Sequence, residues 1–427
     1  MTKVSFVLGA LICASPVLLL WGGPESLGVV SGIIALELTI TSFALRPEET
    51  KFLLSTVRPA VAIAAVPALW MLFQALPLNG LAHPIWTSAR SALAHPLTGS
   101  ITVDRGSTLI SLCQYVTMAA AAFISTAVAV DRRRAAWLLS ALTIGGAITG
   151  LLVMTHDYLF ATLNPPFPRA QALDCAAMGA IIACAACIRT IERNDSSHSR
   201  PGSRTRLAPK LTLSGSALAV CTVVVLLSGS SGMFVALGCG IAALACMFII
   251  RWSGLGAWGT TALLVPAIGA ALVIAANQPA QPGRNWLLAS GEKSSAASNA
   301  MSERMLEDAP LLGTGAGTFA VLAPIYREMD DQSYGSPAST AAAVFAIELG
   351  RPLLWLIAGA ALISIVMLFR ASLQRGRDWL YPAMGASCLV ALFISAFVNT
   401  GLLGAAPGLI SAGAIGLALA QSKSRVV

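Results

Sequence analysis

Charge is what this sequence has least of. Asp, Glu, Lys and Arg together supply 11% of its 427 residues, against about 25% in a typical soluble domain. With 56% of positions hydrophobic, a water-soluble globular chain is excluded and an integral membrane protein is expected. Histidine is scarce as well, at 4 residues, and no HExxH or clustered His/Cys set occurs, so no metal site is expected. The 9 cysteines (Cys13, Cys113, Cys175, Cys184, Cys187, Cys221, Cys239, Cys246 and Cys388) all fall inside apolar runs. They read as small packing residues, not as disulfides or ligands. Cys184-Ala-Ala-Cys187 has no second pair, which argues against a zinc or redox motif. A phosphate loop is lacking too. Gly313-Thr-Gly315-Ala-Gly317 is followed by no GK[ST] and preceded by no strand, so it reads first as a tight turn where backbone meets backbone.

What the chain has is long apolar runs. They approach the twenty or so residues a helix needs to cross the hydrocarbon core. The expected spans lie near 5–21, 27–45, 59–77, 108–130, 136–154, 171–189, 211–228, 232–250, 257–276, 352–369, 379–398 and 401–420. The fold class is therefore all-α and polytopic, with about twelve transmembrane helices and one large loop between the ninth and tenth. Three regions follow: an N-terminal bundle over 1–276, a large polar loop over 277–351, and C-terminal helices over 352–427. The first run lacks a small-residue cleavage pattern and reads as an uncleaved anchor.

Basic residues orient the bundle. Arg46, Lys51 and Arg58, Arg132 to Arg134, Arg193 to Lys210, Arg370 to Arg377, and Lys423 with Arg425 all fall on one side. By the positive-inside rule that side is cytoplasmic, and both termini lie there. The net charge of +8 is then topology, and no nucleic-acid partner is expected. The partner implied by composition is the lipid bilayer. The loop near 190–210 reads as a flexible basic linker against anionic headgroups.

The polar island from Ser302 to Gly350 is the expected seat of chemistry. Ala297 to Asp308 reads as a short helix, ended by Pro310. Pro324 to Glu328 reads as a second element. Ser339 to Gly350 reads as an amphipathic helix returning to the membrane, broken at Gly350-Arg351-Pro352. Arg304, Arg327 and Arg351 share this surface. Each could hold a phosphate through its guanidinium fork or pair with Glu303, Glu307, Asp308, Glu328 or Glu348. The N–H groups of Gly313 and Gly315 could approach a lipid pyrophosphate. His83, His95 and His156 are candidate bases. Asp174 and Glu37 are carboxylates at membrane depth, each with a role or a partner to find.

APLLGTGAGTF downstream of Arg304, then Glu348-Leu349-Gly350 before a span, resembles the bacterial O-antigen ligase and polymerase superfamily. LAHPIWTSARSALAHPLTGSITVD is similar to the first large periplasmic loop of its exopolysaccharide-linked branch. The resemblance implies a metal-independent, cofactor-free glycosyltransferase of the bacterial inner membrane. Its donor would be an undecaprenyl-pyrophosphate-linked glycan and its acceptor a lipid or another glycan. Arg304 and Glu348 carry over as catalytic. Arg327, Arg351, Gly313, Gly315, His83 and Asp174 complete the candidate substrate-binding set. Two positions depart from the family pattern. Ser230-Ser231-Gly232 stands where Ser-Arg-Gly is usual, and Ser339-Thr340 stands where His-Asn is usual. Two other readings stay open: a twelve-helix lipid-glycan transporter, and a non-catalytic partner of other polysaccharide-assembly proteins.

Overall fold

A computed structural model describes residues 2–20, 24–45, 47–94, 97–159, 167–195, 204–253, 296–327, 338–376 and 378–423. The span expected at 257–276, the loop up to 295, and His95, Glu328, Asp330 and Asp331 lie outside the described residues. No strand occurs among the described residues.

The helices are α1 (Thr2–Cys13), α2 (Ser15–Leu20), α3 (Pro24–Ala44), α4 (Pro47–Ala75), α5 (Ile85–Leu93), α6 (Arg105–Ala129), α7 (Arg132–Leu159), α8 (Arg169–Asp195), α9 (Arg204–Leu227) and α10 (Ser231–Ser253). They continue as α11 (Ala296–Asp308), α12 (Phe319–Tyr326), α13 (Ala341–Glu348), α14 (Arg351–Gln374), α15 (Leu380–Ser395) and α16 (Ala405–Ala420). Among the described residues, 8 helices are long and apolar enough to cross a membrane. They are α3, α4, α6, α7, α8, α9, α10 and α14; α1, α15 and α16 are shorter apolar helices. The chain is a multi-pass, all-helical membrane protein.

Some expected boundaries move, for identifiable reasons. The first apolar run is two helices, because Pro16 supplies no N–H to continue the ladder. The chain turns at Ala14, with Ala14 N–H on the Ala10 carbonyl and Val17 N–H on the Ala14 carbonyl. The 190–210 segment is not simply a linker. Helix α8 runs on to Asp195 and α9 begins at Arg204. Helix α13 is not amphipathic: every residue but Phe345 is buried. By contrast, the narrow Gly229-Ser230-Ser231 break between α9 and α10 is present. Gly229 takes φ 64, and Ser230 Oγ accepts the Met233 N–H.

Helix α8 is the axis of the bundle, with α7, α9, α10, α15 and α16 around it. Small residues permit that crowding, as is usual where lipid tails remove a hydrophobic drive between helices. A Cβ on Gly146 of α7 would lie 2.7 Å from Gly179 Cα of α8, and Cys221 of α9 donates to the Gly146 carbonyl at 3.3 Å. All 9 cysteines are helical and free. Cys187 of the CxxC contacts Ser214 Oγ at 3.2 Å, a packing contact between α8 and α9. A smaller second core gathers α11, α12 and α13, with Met301, Met305, Leu306, Phe319 and Ile347 at its centre.

Candidate functional site

The site is built where α13 ends. Thr340 caps that helix, its hydroxyl accepting the Ala343 N–H at 3.1 Å. The Ala341 and Ala342 N–H groups go to the Asn399 and Ala396 carbonyls after α15, so the first turn of α13 is saturated. Thr340→Ala should lower stability by about 1 kcal/mol, the usual value of such a cap, and Thr340→Ser should restore it. Thermal unfolding in detergent measures both; an unchanged alanine variant would show that the cap carries no weight.

At its other end α13 meets the glycine turn. The Thr314 N–H reaches the Ile347 carbonyl and the Gly315 N–H the Glu348 carbonyl, each at 2.9 Å. The Thr314 carbonyl takes the Val103 N–H at 2.9 Å from the loop before α6. Gly313, Gly315 and Gly317 take φ values of 79, 109 and 75, a region open to glycine at no steric cost. A Cβ on Gly315 would lie 2.0 Å from Thr102 Oγ1, and one on Gly313 2.2 Å from the Glu348 carbonyl oxygen. The turn is fixed rather than flexible.

Helix α4 locks this seam from below. The Gln74 amide donates to the Leu312 carbonyl at 2.8 Å and the Glu348 carbonyl at 2.9 Å. The Trp70 indole donates to the Leu349 carbonyl at 2.9 Å. The Glu348 carboxylate turns inward and accepts the Phe319 N–H at 2.9 Å, with the Gly317 N–H also on it. Burial pushes its pKa up to about 7 against the pull of those two amides; a desolvated carboxyl holds its proton longer.

The arginines divide into two places. Arg304 Nη1 faces the Tyr326 carbonyl at 3.5 Å, beside Arg327 in the chain, so these two flank the α11–α12 junction. The Tyr326 hydroxyl goes to Asp308, the carboxylate expected beside Arg304. Arg351 Nη2 donates to the Leu306 carbonyl of α11 at 2.9 Å. Glu348, Gly313 and Gly315 are thus brought together, with Arg351 next to them. Arg304 lies on α11 and Arg327 caps the end of α12.

His83 belongs to the adjoining loop. Its main-chain N–H donates to the Ser100 carbonyl at 2.9 Å, and its ring Nδ1 accepts from Ile85 N–H at 3.3 Å. Burial lowers its pKa. Asp174 lies in the second turn of α8. It is 1% exposed, and its carboxylate accepts from Asn399 Nδ2 at 3.3 Å. The same Asn399 receives α13 on its carbonyl, so Asp174 is one residue removed from the Ser339-Thr340 position. Glu37 is buried in α3, with neither carboxylate oxygen hydrogen-bonded among the described residues.

Gln74, Trp70, Thr102 and Asn399 were not legible as site residues in the sequence. One signal was there: Trp70 and Gln74 are four apart at the end of an apolar span, which puts an indole and an amide on one helix face. No family model and no characterised protein sequence matches the chain.

Proposed function

We propose that the chain transfers or polymerises an undecaprenyl-pyrophosphate-linked glycan at the periplasmic face of a bacterial inner membrane, in O-antigen or exopolysaccharide biosynthesis. The observation that carries this reading is the fixed glycine turn. It holds Glu348, and Arg351 three residues on reaches the Leu306 carbonyl of α11, the helix that carries Arg304, with Arg327 at the end of α12. A pyrophosphate leaving group gains negative charge as the glycosidic bond breaks. Preorganised guanidinium groups near a membrane surface would stabilise that charge. The acceptor hydroxyl needs positioning and a base. A carboxyl that titrates near 7 is matched to that task at neutral pH. In this reading Arg304, Arg327 and Arg351 hold phosphate oxygens. Gly313 and Gly315 shape the backbone they approach, and Glu348 receives the acceptor proton. The basic loops then face the cytoplasm and the turn faces the periplasm.

A second reading, a non-catalytic partner in polysaccharide assembly, is favoured by one detail. Where the family has His-Asn, the Thr340 hydroxyl is spent on capping α13, and no titratable group takes the histidine position. A deletion strain separates the two. Its lipopolysaccharide ladder and secreted polymer should lose long-chain glycan, and wild type should restore it. Arg304→Ala should restore none or little; full rescue by Arg304→Ala moves the assembly partner or a transporter to the front.

A further inference from the structure

Helix α5 has three distinct faces, and one of them is left exposed by the described residues. Ile85, Ala89 and Leu93 recur every fourth residue of α5 and make one stripe, and Leu81 ends the short 3-10 turn (Asn79–Leu81) just before it. Leu81 is 51% exposed, Ile85 37% and Leu93 66%. Trp86 and Arg90, on the next face, are half-buried against the protein. Thr87, Ser88 and Ser91 form the third face and are exposed. An apolar stripe, a polar stripe and an aromatic–basic edge on one short helix are the marks of a segment lying in a membrane surface.

Its position agrees. Leu69, Leu72 and Leu76 are exposed apolar residues at the end of α4, and the chain turns at once into Leu81, with the Leu81 N–H on the Leu78 carbonyl. At its other side, the guanidinium of Arg105, the first residue of α6, stacks on Trp86 at 5.4 Å. That pins α5 to the level where two membrane-length helices end. Among the described residues, the exposed apolar surface of α4 therefore continues onto α5 with no element over it. Arg90 Nε is buried with no hydrogen-bond partner among the described residues.

We propose that α5 lies flat on the bilayer at the end of the bundle that carries the glycine turn, with Leu81, Ile85 and Leu93 in the headgroup–acyl boundary. The occupant of this face is the lipid surface itself. The contact reaches the turn through two links. The Trp86 indole donates to the Thr102 carbonyl at 3.0 Å, and the Thr102 side chain abuts Gly315. The bilayer surface thus sets the height of the turn. This inference stands on the membrane fold and is independent of glycan transfer.

The test is thiol labelling of the full-length protein in phospholipid proteoliposomes. Ser91→Cys and Leu93→Cys fall on one tryptic peptide that holds no native cysteine, so mass spectrometry reads them against each other. Both variants must first run as monodisperse protein by gel filtration. Ile85→Cys and Thr87→Cys give a second pair if either fails. A charged maleimide should label the Leu93 position at least about tenfold more slowly than the Ser91 position, the ratio expected for a buried leucine site. An apolar, bilayer-soluble maleimide should label Leu93→Cys readily. Equal rates with the charged reagent would place the helix in water and overturn the proposal. Protection from both reagents would place another protein surface there and overturn it equally.

Discussion

Gly313→Ala should lower the stability of the folded protein by about 2–5 kcal/mol. Two terms add. A left-handed backbone at φ 79 costs a residue with a Cβ roughly 1–2 kcal/mol. The new methyl would also meet the Glu348 carbonyl oxygen at 2.2 Å and Gly350 N at 2.7 Å. Both are backbone atoms, and the Glu348 carbonyl is held by the Gly315 and Gln74 donors. Overpacking of that kind costs about 1–3 kcal/mol. Gly359→Ala is the control. Nothing lies within 4 Å of a Cβ there and the site is mid-helix in α14, so that variant should match or slightly exceed wild type. Melting curves in detergent, followed by tryptophan fluorescence, compare the three. A Gly313→Ala protein as stable as the control would mean that the turn relaxes freely and cannot position anything.

Glu348→Gln should stabilise the protein at pH 8 and leave it nearly unchanged at pH 4.5. The sign follows from the proton. A free carboxyl titrates near 4.5, and burial raises this one to about 7. The folded state therefore binds the proton more tightly than the unfolded state. The protonated carboxyl contributes its full stability below pH 4.5, and that contribution is lost as pH rises toward 7. Above about 7 the buried charge costs roughly 3 kcal/mol relative to a neutral group. Glutamine is neutral throughout, and its Oε1 can still accept the Phe319 N–H that Glu348 accepts now. The gain over wild type should grow between pH 5 and 7 and then level off. A difference independent of pH would show that Glu348 does not titrate in this range. Under the transferase reading the same substitution abolishes glycan transfer, so a better-folded protein would be an inactive one.

Much of the fold could be read because its signal is one-dimensional. A run of twenty apolar residues needs no partner to be recognised, and α3, α6, α7 and α14 all lie close to their expected limits. The short helix at 297–308 was legible for a similar reason, since Pro310 follows its last residue at a fixed distance. Helix α13 was misjudged because its burial comes from outside the segment. Its neighbours α11, α12 and the turn after α15 close over a face that sequence alone would leave in water. Arg351 was legible as a cation at the site but not in its direction; the Leu306 carbonyl that turns it is contributed by α11. Glu348 is singled out in the sequence only by a resemblance of motif, while the two main-chain amides on it come from Gly317 and Phe319, more than 25 residues upstream. Features set by a single helix could be read from its own sequence. Contacts that join three segments could not.

Gln74 and the Glu348 carbonyl it holds are 274 positions apart. A ribosome adding 5–20 residues per second would need on the order of 15–50 s to cover that distance. During that interval the α4 end is already made, with the Gln74 amide and Trp70 indole still waiting for carbonyls not yet synthesised. Loop closure over such a length comes late in folding. The glycine turn is thus a closing stitch, and a nascent chain halted before Glu348 would present an open, polar-tipped α4 to whatever machinery guards incomplete membrane proteins.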